Sequence, residues 1–444
     1  MTHGRPIRLI LLFSLPLMLG SVFQQLYTIV DTIIIGRGVG MQALASIGAA
    51  DWINWLVLWG LQGFTQGFAI LAAQEFGAGA YDRLRRVLAM IVKLSCWFGI
   101  AVTIISLVLV RPLLTLLHTD PAVFGGAQTY LYVQFGGSLI IIAYNMAAAV
   151  LRCLGDSRTP LLAIIAASFA NIALDLLFVM GFGWGIFGAS FATVLAQLIA
   201  FLMCLRSLRR LPFVQLTKAD WKTDPTILLH LCRLGIPTGL QMSMITLGGM
   251  VLQSVLNGFG VVFVAGYTAA NKLYGILESA SVAFGYAMTA YMGQNRGARN
   301  AARIDAGIRA VLVLSAEFTA AIVTAMLVAG KPLLGLFLST EEAGAADALA
   351  VAYQYLMVLM AFLFALFMLQ AYRSSLQGLG EMTVPTLSGF AEMLMRMGAA
   401  LVLPTFIGQS GVFFAEGAAW VCAAALNLVW YYMRIGKIKR EMLQ

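Results

Sequence analysis

Charged residues are scarce in this sequence. Only 11% of its 444 residues are Asp, Glu, Lys or Arg, whereas a soluble globular chain carries about 25%. Hydrophobic residues make up 61% of the chain. They fall in continuous runs that are long enough to cross a hydrocarbon core of about 30 Å as helices. The runs do not alternate as those of a membrane β-barrel do. The sequence therefore predicts an all-α integral membrane protein.

Residues that commonly carry metal, redox or hydrolytic chemistry are few and scattered. The three histidines, His3, His118 and His230, lie at loops or at the ends of apolar runs. The five cysteines show neither a CxxC nor a His-linked spacing. The sequence also contains no HExxH motif and no Walker A motif. We therefore expect a protein that is not an enzyme, holds no cofactor and does not use ATP directly.

The first apolar run does not read as a removable signal peptide. Arg5 and Arg8 precede it, but no small-residue cleavage site follows. The run continues to about Ile35 and includes Asp31. We expect this run to be retained as the first membrane span.

Hydropathy predicts twelve membrane-spanning helices. Their expected ranges are 9–35, 46–73, 88–110, 127–150, 160–182, 186–206, 230–256, 262–290, 307–329, 347–370, 384–407 and 411–434. Most of the 28 Lys and Arg residues fall in the loops on one side of these spans. By the positive-inside rule that side is cytoplasmic, so both termini are expected in the cytoplasm and the protein in a bacterial inner membrane.

The basic net charge of +9 follows from this topology. Cytoplasmic Lys and Arg residues lie beside anionic lipid headgroups, so membrane lipids are expected partners. Binding to nucleic acid needs a folded basic surface, and the loops leave none. We therefore expect no nucleic-acid partner.

Two halves of the sequence resemble one another. Gln74–Ala78 is followed 220 residues later by the similar Gln294–Ala298, and Leu154–Pro160 is followed by the similar Leu379–Pro385. Ordered matches at a nearly constant offset indicate an internal repeat. Six spans in each half make both halves enter the membrane in the same direction. We therefore expect two six-helix lobes related by a pseudo-two-fold axis along the membrane normal.

The repeat also predicts the domain boundaries. We expect an N-terminal lobe over 1–206, a basic cytoplasmic linker over 207–229, a C-terminal lobe over 230–434 and a cytoplasmic tail over 435–444. The protein is expected to act as a monomer.

Two carboxylates stand out in the first half, because a charge in mid-membrane costs at least ~2.5–3.5 kcal/mol on insertion scales. Asp31 shares a helix face with Gln24 and Tyr27 at spacings of i, i+3 and i+7. Asp175 shares a face with Asn171, one turn earlier. Both carboxylates are therefore candidate functional residues.

The depth of these groups in the membrane points to one site. At 1.5 Å per residue, Asp31, Asp175 and Thr193 all come to roughly 7–12 Å below the external surface. Two nearby carboxylates in a low dielectric cannot both stay ionised cheaply, which suits a proton carrier. Their oxygens, with an amide, a hydroxyl and a backbone carbonyl, would also suit Na⁺. The residue types do not identify which of the two ions is coupled, and we favour the proton because it needs no further ligands.

The same residues belong to an ordered set of motifs along the chain. The set comprises Pro16, Gln24–Tyr27, Val30–Thr32, Gly36, Gln74, Gly77–Ala78, Arg152, Leu154–Asp156, Pro160, Asn171, Asp175, Gly185, Gly188–Ala189 and Thr193. Together these motifs resemble the multidrug and toxic compound extrusion (MATE) family. The resemblance is closest to its DinF-like and MepA-like members. The glutamate that NorM-like members carry shortly after the seventh-span proline is absent after Pro237.

The resemblance implies a cation-coupled efflux antiporter. Such a protein exports lipophilic, often cationic, organic compounds by alternating access, in exchange for a proton or Na⁺. The implied ion-coupling residues are Asp31, Asn171, Asp175, Ala189 and Thr193. If the ion is Na⁺, the implied ligands are Asp31, Asn171, Asp175 and Thr193. Gln24, Tyr27, Tyr130 and Asn145 are expected as neighbouring cavity residues.

Other charges lie within the spans of the second half. Glu392 and Arg396, at i and i+4, are expected to neutralise one another, and a contact with substrate stays open for both. Glu278 and Glu416 are lone carboxylates that would suit a cationic drug. Arg373, near the inner end of the tenth span, is expected to extend towards the cytoplasm.

Two other classes of transporter stay open. A lipid-linked oligosaccharide flippase of the same superfamily would need a basic cavity for pyrophosphate, but the charges within the spans are mostly acidic, with Arg396 the main exception. A major-facilitator transporter also has twelve spans, and Gly79–Arg86 resembles its loop signature. The repeat partner over 294–300 lacks that signature, which favours the MATE interpretation.

Overall fold

The computed structural model describes residues 1–337 and 344–443, and across these residues it contains helices and no strand. The helices are α1 (Pro6–Gly38), α2 (Met41–Gly77), α3 (Tyr81–Leu116), α4 (Pro121–Gly136), α5 (Ser138–Cys153), α6 (Arg158–Asp175), α7 (Gly185–Arg209), α8 (Pro225–Asn257), α9 (Val261–Gly297), α10 (Ala301–Gly335), α11 (Ala345–Gly378), α12 (Thr383–Ile407) and α13 (Phe414–Leu443). A helix satisfies its backbone groups internally, as the membrane interior requires. The predicted all-α class is confirmed.

The twelve predicted spans each coincide with helix. Ten helical segments are long and apolar enough to cross a membrane, and the bent pair α4 and α5 makes an eleventh. The predicted span 262–290 lies within α9, which is long but does not count among these apolar segments. By this criterion the described chain has ten or eleven candidate spans, rather than the twelve that we expected.

The internal repeat is visible in the backbone of the turns. Gly40 (φ 109°) precedes α2, and Gly260 (φ 90°) precedes α9 at an offset of 220 residues. Gly155 (φ 96°) precedes α6, and Gly380 (φ 73°) precedes α12 at an offset of 225 residues. Glycine adopts positive φ without the steric cost that other residues meet. The two halves therefore enter corresponding helices through the same kind of turn.

The chain divides into two compact units. The first unit is Leu15–Ser243, and the second unit is Met1–Ser14 together with the residues from Met244 onward. The start of α1 thus packs within the second unit, where the Ser14 hydroxyl donates to the Ala283 carbonyl at 3.3 Å. The predicted boundaries at 206 and 230 were drawn from loops and stay a prediction.

Two helices of the first unit are interrupted, whereas their counterparts in the second unit are continuous. α4 and α5 meet at Gly137 with a bend of 49°. α6 ends at Asp175 and continues as a π-helical turn, Leu176–Gly181. π-Helical turns are rare and occur frequently at functional sites. The corresponding α11 and α12 run unbroken over Ala345–Gly378 and Thr383–Ile407.

Candidate cation and substrate site

The end of α6 presents two polar side chains that are sealed from solvent. Asp175 is 0% exposed and Asn171 is 1% exposed. Neither carboxylate oxygen of Asp175, nor the amide oxygen or nitrogen of Asn171, has a hydrogen-bond partner. Leaving buried polar atoms unpaired costs about 1–3 kcal/mol each. Four such atoms one helical turn apart indicate a place where an ion, a proton or water belongs.

α1 brings a second carboxylate to the first. The carboxyl groups of Asp31 and Asp175 lie close enough to interact with one another. Two ionised carboxylates have no hydrogen to share, so this approach is stable only with a proton or a cation between them. Tyr27, one turn earlier on α1, also interacts electrostatically with both aspartates.

α7 supplies the hydroxyl and carbonyl groups expected at the site. The Thr193 hydroxyl donates to the Ala189 carbonyl at 3.2 Å. The Thr193 hydroxyl keeps its lone pairs, because it uses only its hydrogen to donate. It is therefore still able to accept from water or to ligate a cation. The Ala189 carbonyl, inside α7, already accepts this hydroxyl and the helical backbone N–H one turn later.

A small cavity adjoins the site but is not lined by Asp31, Asp175 or Ala189. Its volume is about 40 Å³, which is room for a few water molecules. Its lining residues are Gln24, Tyr27, Tyr144, Ile164, Ala167, Ser168, Asn171, Thr193, Ala196, Gln197 and Ala200. The structure thus brings four of the predicted residues to one space, which agrees with the expected site without testing its role.

Two predicted cavity residues lie elsewhere in the first unit. Asn145 is half-buried on α5, and its amide donates to the Ile141 carbonyl of its own helix at 2.9 Å. Its neighbour Tyr144, not Asn145, lines the cavity. Tyr130 on α4 accepts a hydrogen bond from the Asn54 amide at 3.3 Å.

Sequence analysis overlooked a third carboxylate in the first unit. Asp51 on α2 is partly exposed and interacts electrostatically with Asp31 and with Tyr130. The signal was available, because Asp51 lies six residues inside the predicted span 46–73 and an acid within a span is a functional candidate. No basic side chain pairs with Asp31, Asp51 or Asp175 among residues 1–337 and 344–443.

Of the charges singled out in the second unit, Arg373, Glu392, Arg396 and Glu416 are paired. The Glu392 carboxylate accepts from Arg373 at 2.5 Å and from Arg396 at 3.1 Å. Arg396 also reaches Glu416 at 2.8 Å and donates to the Ile245 carbonyl at 2.9 Å. The predicted pairing of Glu392 with Arg396 is therefore present, within a larger network.

Two expectations for the second unit need correction. Arg373 does not extend to the cytoplasm: it is 3% exposed and held by Glu392. Glu416 is not a lone carboxylate, because it pairs with Arg396. Glu278 interacts with the Tyr274 hydroxyl and, at longer range, with Glu416, and forms no ion pair within the described chain.

Comparison with known proteins assigns the family. The family model MatE matches residues 16–177 and 237–402, which is most of both halves. The chain belongs to the MATE family. The two matched segments begin at the repeated prolines, Pro16 and Pro237. MATE members are transporters, so the expectation that the chain is a multi-pass membrane transporter and not an enzyme is confirmed.

Bacterial relatives align along nearly the whole chain. The probable multidrug resistance protein YpnP of Bacillus subtilis is 32% identical, over 100% of this chain and 98% of that protein. The probable multidrug resistance protein NorM of Thermotoga maritima is 24% identical, over 94% of this chain and 90% of its own. The multidrug export protein MepA of Staphylococcus saprophyticus is 22% identical, with coverages of 95% and 93%. These bacterial relatives indicate a cell membrane.

Solved MATE structures share the fold. An outward-facing multidrug resistance MATE transporter of the MOP superfamily superposes with a TM-score of 0.90 at 25% identity, covering 98% of this chain and 97% of its own. A MOP superfamily transporter from Pyrococcus furiosus, described as having a binding pocket of reversed polarity that suggests a different function, gives a TM-score of 0.91 at 25% identity, with coverages of 98% and 97%.

Proposed function

We propose that this MATE chain is a cation-coupled multidrug efflux antiporter of the bacterial cytoplasmic membrane. It exports lipophilic, often cationic, organic compounds and imports a proton or Na⁺ in exchange. Its relatives in Bacillus and Staphylococcus carry the names of multidrug resistance and export proteins. The observation that carries the proposal is the pair formed by the partly exposed Asp31 and the buried Asp175 beside Asn171.

The chemistry of this pair suits a small cation. The side chains of Asp175 and Asn171 are sealed from solvent and have no hydrogen-bond partner within the described residues. No basic side chain of the described residues pairs with either aspartate. A bound proton or Na⁺ would both cancel repulsion between the carboxyl groups and satisfy their oxygens. The pair therefore supports a coupling site rather than a structural ion pair.

The proton is the coupling ion that requires the fewest ligands from the site. One proton placed between Asp31 and Asp175 makes a hydrogen bond and removes the charge repulsion. Na⁺ would take oxygen ligands from the same two carboxylates, from Asn171 and from the Thr193 hydroxyl. Either cation gains about 2.3 kcal/mol per 100 mV when it moves inward down the membrane potential.

Exchange requires that drug and cation exclude one another. Pro16 lies inside α1, where a proline removes a backbone hydrogen bond and weakens the helix locally. We propose that cation binding at Asp31 bends or repacks α1 near this proline and expels the drug outward. The protein does this as a monomer with both termini in the cytoplasm.

Gradient-driven transport tests the proposal. An imposed proton or Na⁺ gradient is expected to drive ethidium transport by the wild-type protein in lipid vesicles. Ethidium fluorescence measures this transport. Asp31→Asn and Asp175→Asn are expected to lower this transport at least tenfold, because neither amide is able to carry a proton or to supply an ionised oxygen.

Asp120→Asn is the matched control for these two variants. Asp120 caps α4 from an exposed loop, where its side chain accepts from the Ala122 amide at 2.7 Å. Asn is an equally good cap, so this control removes a carboxylate and keeps the fold. Undiminished transport by both site variants, or no gradient-driven transport by the wild type, would refute the proposal.

A further inference from the structure

Asp51 has no partner that explains a charge within the membrane. It lies on α2, immediately after the fully buried Ala50, and is itself partly exposed. No Lys or Arg pairs with it within residues 1–337 and 344–443. Its electrostatic partners are the acidic Asp31 and the phenol of Tyr130. A carboxylate with only acidic and neutral neighbours attracts a positive charge from outside the protein.

The groups next to Asp51 suit an organic cation. Asn54, one turn along α2, is 5% exposed, and its amide donates to the Tyr130 hydroxyl at 3.3 Å. The amide oxygen of Asn54 is buried and has no donor within the described residues. Tyr130 interacts electrostatically with both Asp51 and Tyr27. Aromatic faces attract cations, so the two phenols suit an organic cation, and the hydrogen bond from Asn54 holds the Tyr130 phenol in place.

Burial separates Asp51 from Asp175. Asp175 is 0% exposed, so a proton or Na⁺ is small enough to be held there but the charged group of a drug does not reach it in this conformation. The neighbouring cavity at Asn171 and Thr193, which neither aspartate lines, has a volume of about 40 Å³, whereas a drug-sized ligand occupies a pocket of roughly 300–1,000 Å³. Asp51 and Asp31 are both partly exposed, but Asp31 interacts with Asp175. Asp51 is therefore the carboxylate that a larger cation is able to contact without displacing the coupling cation.

We propose that Asp51 is the residue that recognises the positive charge of lipophilic organic cations, with Tyr130 and Tyr27 forming the rest of the contact and Asn54 holding Tyr130 in place. This inference rests on the proposed efflux function and identifies the residue that binds the charged group of the substrate. The Asp31–Asp175 pair keeps the separate task of holding the coupling cation.

Drug recognition and cation coupling are connected by an electrostatic interaction between Asp51 and Asp31. A positive charge placed on either aspartate therefore weakens the attraction of the other for a second positive charge. Drug and coupling cation then compete through electrostatics without sharing the same ligands.

Equilibrium binding to the purified full-length protein tests this inference. The probes are ethidium and tetraphenylphosphonium, each titrated at one fixed pH and Na⁺ concentration, with the melting temperature recorded for every variant. Asp51→Asn is expected to weaken binding of both cations about tenfold or more, in line with the loss of a charged contact. Asp51→Glu, which keeps the charge, is expected to stay within about threefold of the wild type.

The outcomes separate this inference from the proposed function. Asp120→Asn removes a carboxylate from an exposed loop and should bind both probes as the wild type does. Wild-type affinity in a folded Asp51→Asn variant, or equal losses in Asp51→Asn and Asp51→Glu, would overturn the role of Asp51 and leave the antiporter proposal standing. Failure of the wild type to bind either cation would refute both.

Discussion

Acidic side chains within the helices have opposite surroundings in the two units. In the first unit, Asp31 and Asp175 face one another without a basic partner in the described chain. In the second unit, Glu392 is held between two arginines. An unpaired acid is available to an incoming cation, whereas a paired acid stabilises its own surroundings. This contrast supports the proposal that the Asp31–Asp175 pair serves coupling, and it predicts a structural role for the Glu392 network.

Removing Glu392 should therefore destabilise the protein rather than change its ion selectivity. The side chains of Glu392 and Arg373 are each 4% exposed. Glu392→Ala leaves the buried Arg373 guanidinium without its carboxylate and Arg396 with Glu416 alone, and breaking a buried pair costs about 3–5 kcal/mol. We expect a lower melting temperature in detergent, with unchanged preference for proton or Na⁺ in the protein that remains folded.

Glu441→Ala is the matched control for this prediction. Glu441 pairs with Lys437 at 3.8 Å, and both side chains are more than half exposed. Exposed pairs contribute about 0–1 kcal/mol, so the melting temperature should hardly change. Equal melting temperatures for the wild type and Glu392→Ala would contradict a structural role for the network.

Local spacing predicted some of these residues and not others. Asn171 and Asp175 share a helix face one turn apart, so their pairing was visible in the sequence. The contact between Arg373 and Glu392 joins α11 to α12, and hydropathy of either helix alone does not reveal it. Asp51 was visible in the sequence as an acid within a predicted span, but its neighbours Asp31 and Tyr130 come from α1 and α4, so spacing along α2 does not connect it to the site.

At the scale of helices, the break between α4 and α5 shapes the candidate site. A side chain added at Gly137 would meet Val194 of α7 at 2.5 Å. Val194 follows Thr193, which lines the cavity. The glycine therefore allows α7 to approach closely enough for the Thr193 hydroxyl to face this space.

Gly137→Ala is expected to displace α7 and weaken coupling. Overpacking of this kind costs about 1–3 kcal/mol, and the added methyl group pushes on the residue next to Thr193. We expect a lower melting temperature and slower gradient-driven ethidium efflux from vesicles. Gly136→Ala is the control, because a side chain at Gly136 meets nothing within 4 Å. Equal losses in both variants would show that the break, rather than the approach of α7, matters.

The sequence predicted the helices better than their interruptions. The span 127–150 is apolar throughout, and only the pair Gly136–Gly137 marks the bend. The π-helical turn after Asp175 has no comparable signal, because 176–181 reads as ordinary apolar helix. Both interruptions depend on how helices pack within the first unit, which periodicity does not report.

At the scale of the whole chain, one repeated plan supports different chemistry in each half. The MatE match covers 16–177 and again 237–402, and left-handed glycines recur at offsets of 220 and 225 residues. At the positions that match Asn171 and Asp175, the second half has Arg396 and Ala400. The repeat thus provides the scaffold, and the substitutions restrict the free carboxylate pair to the first unit.

The central claim is that the Asp31–Asp175 pair holds the cation that a drug displaces. The most direct measurement is the affinity of purified protein for ethidium as pH and Na⁺ concentration are varied separately. Binding linkage requires that a competing cation lower drug affinity, by up to about tenfold for each tenfold rise in its concentration. We predict this dependence on protons or Na⁺ for the wild type and its absence in Asp175→Asn. A wild-type affinity that is independent of both cations, or an unchanged dependence in Asp175→Asn, would contradict the account.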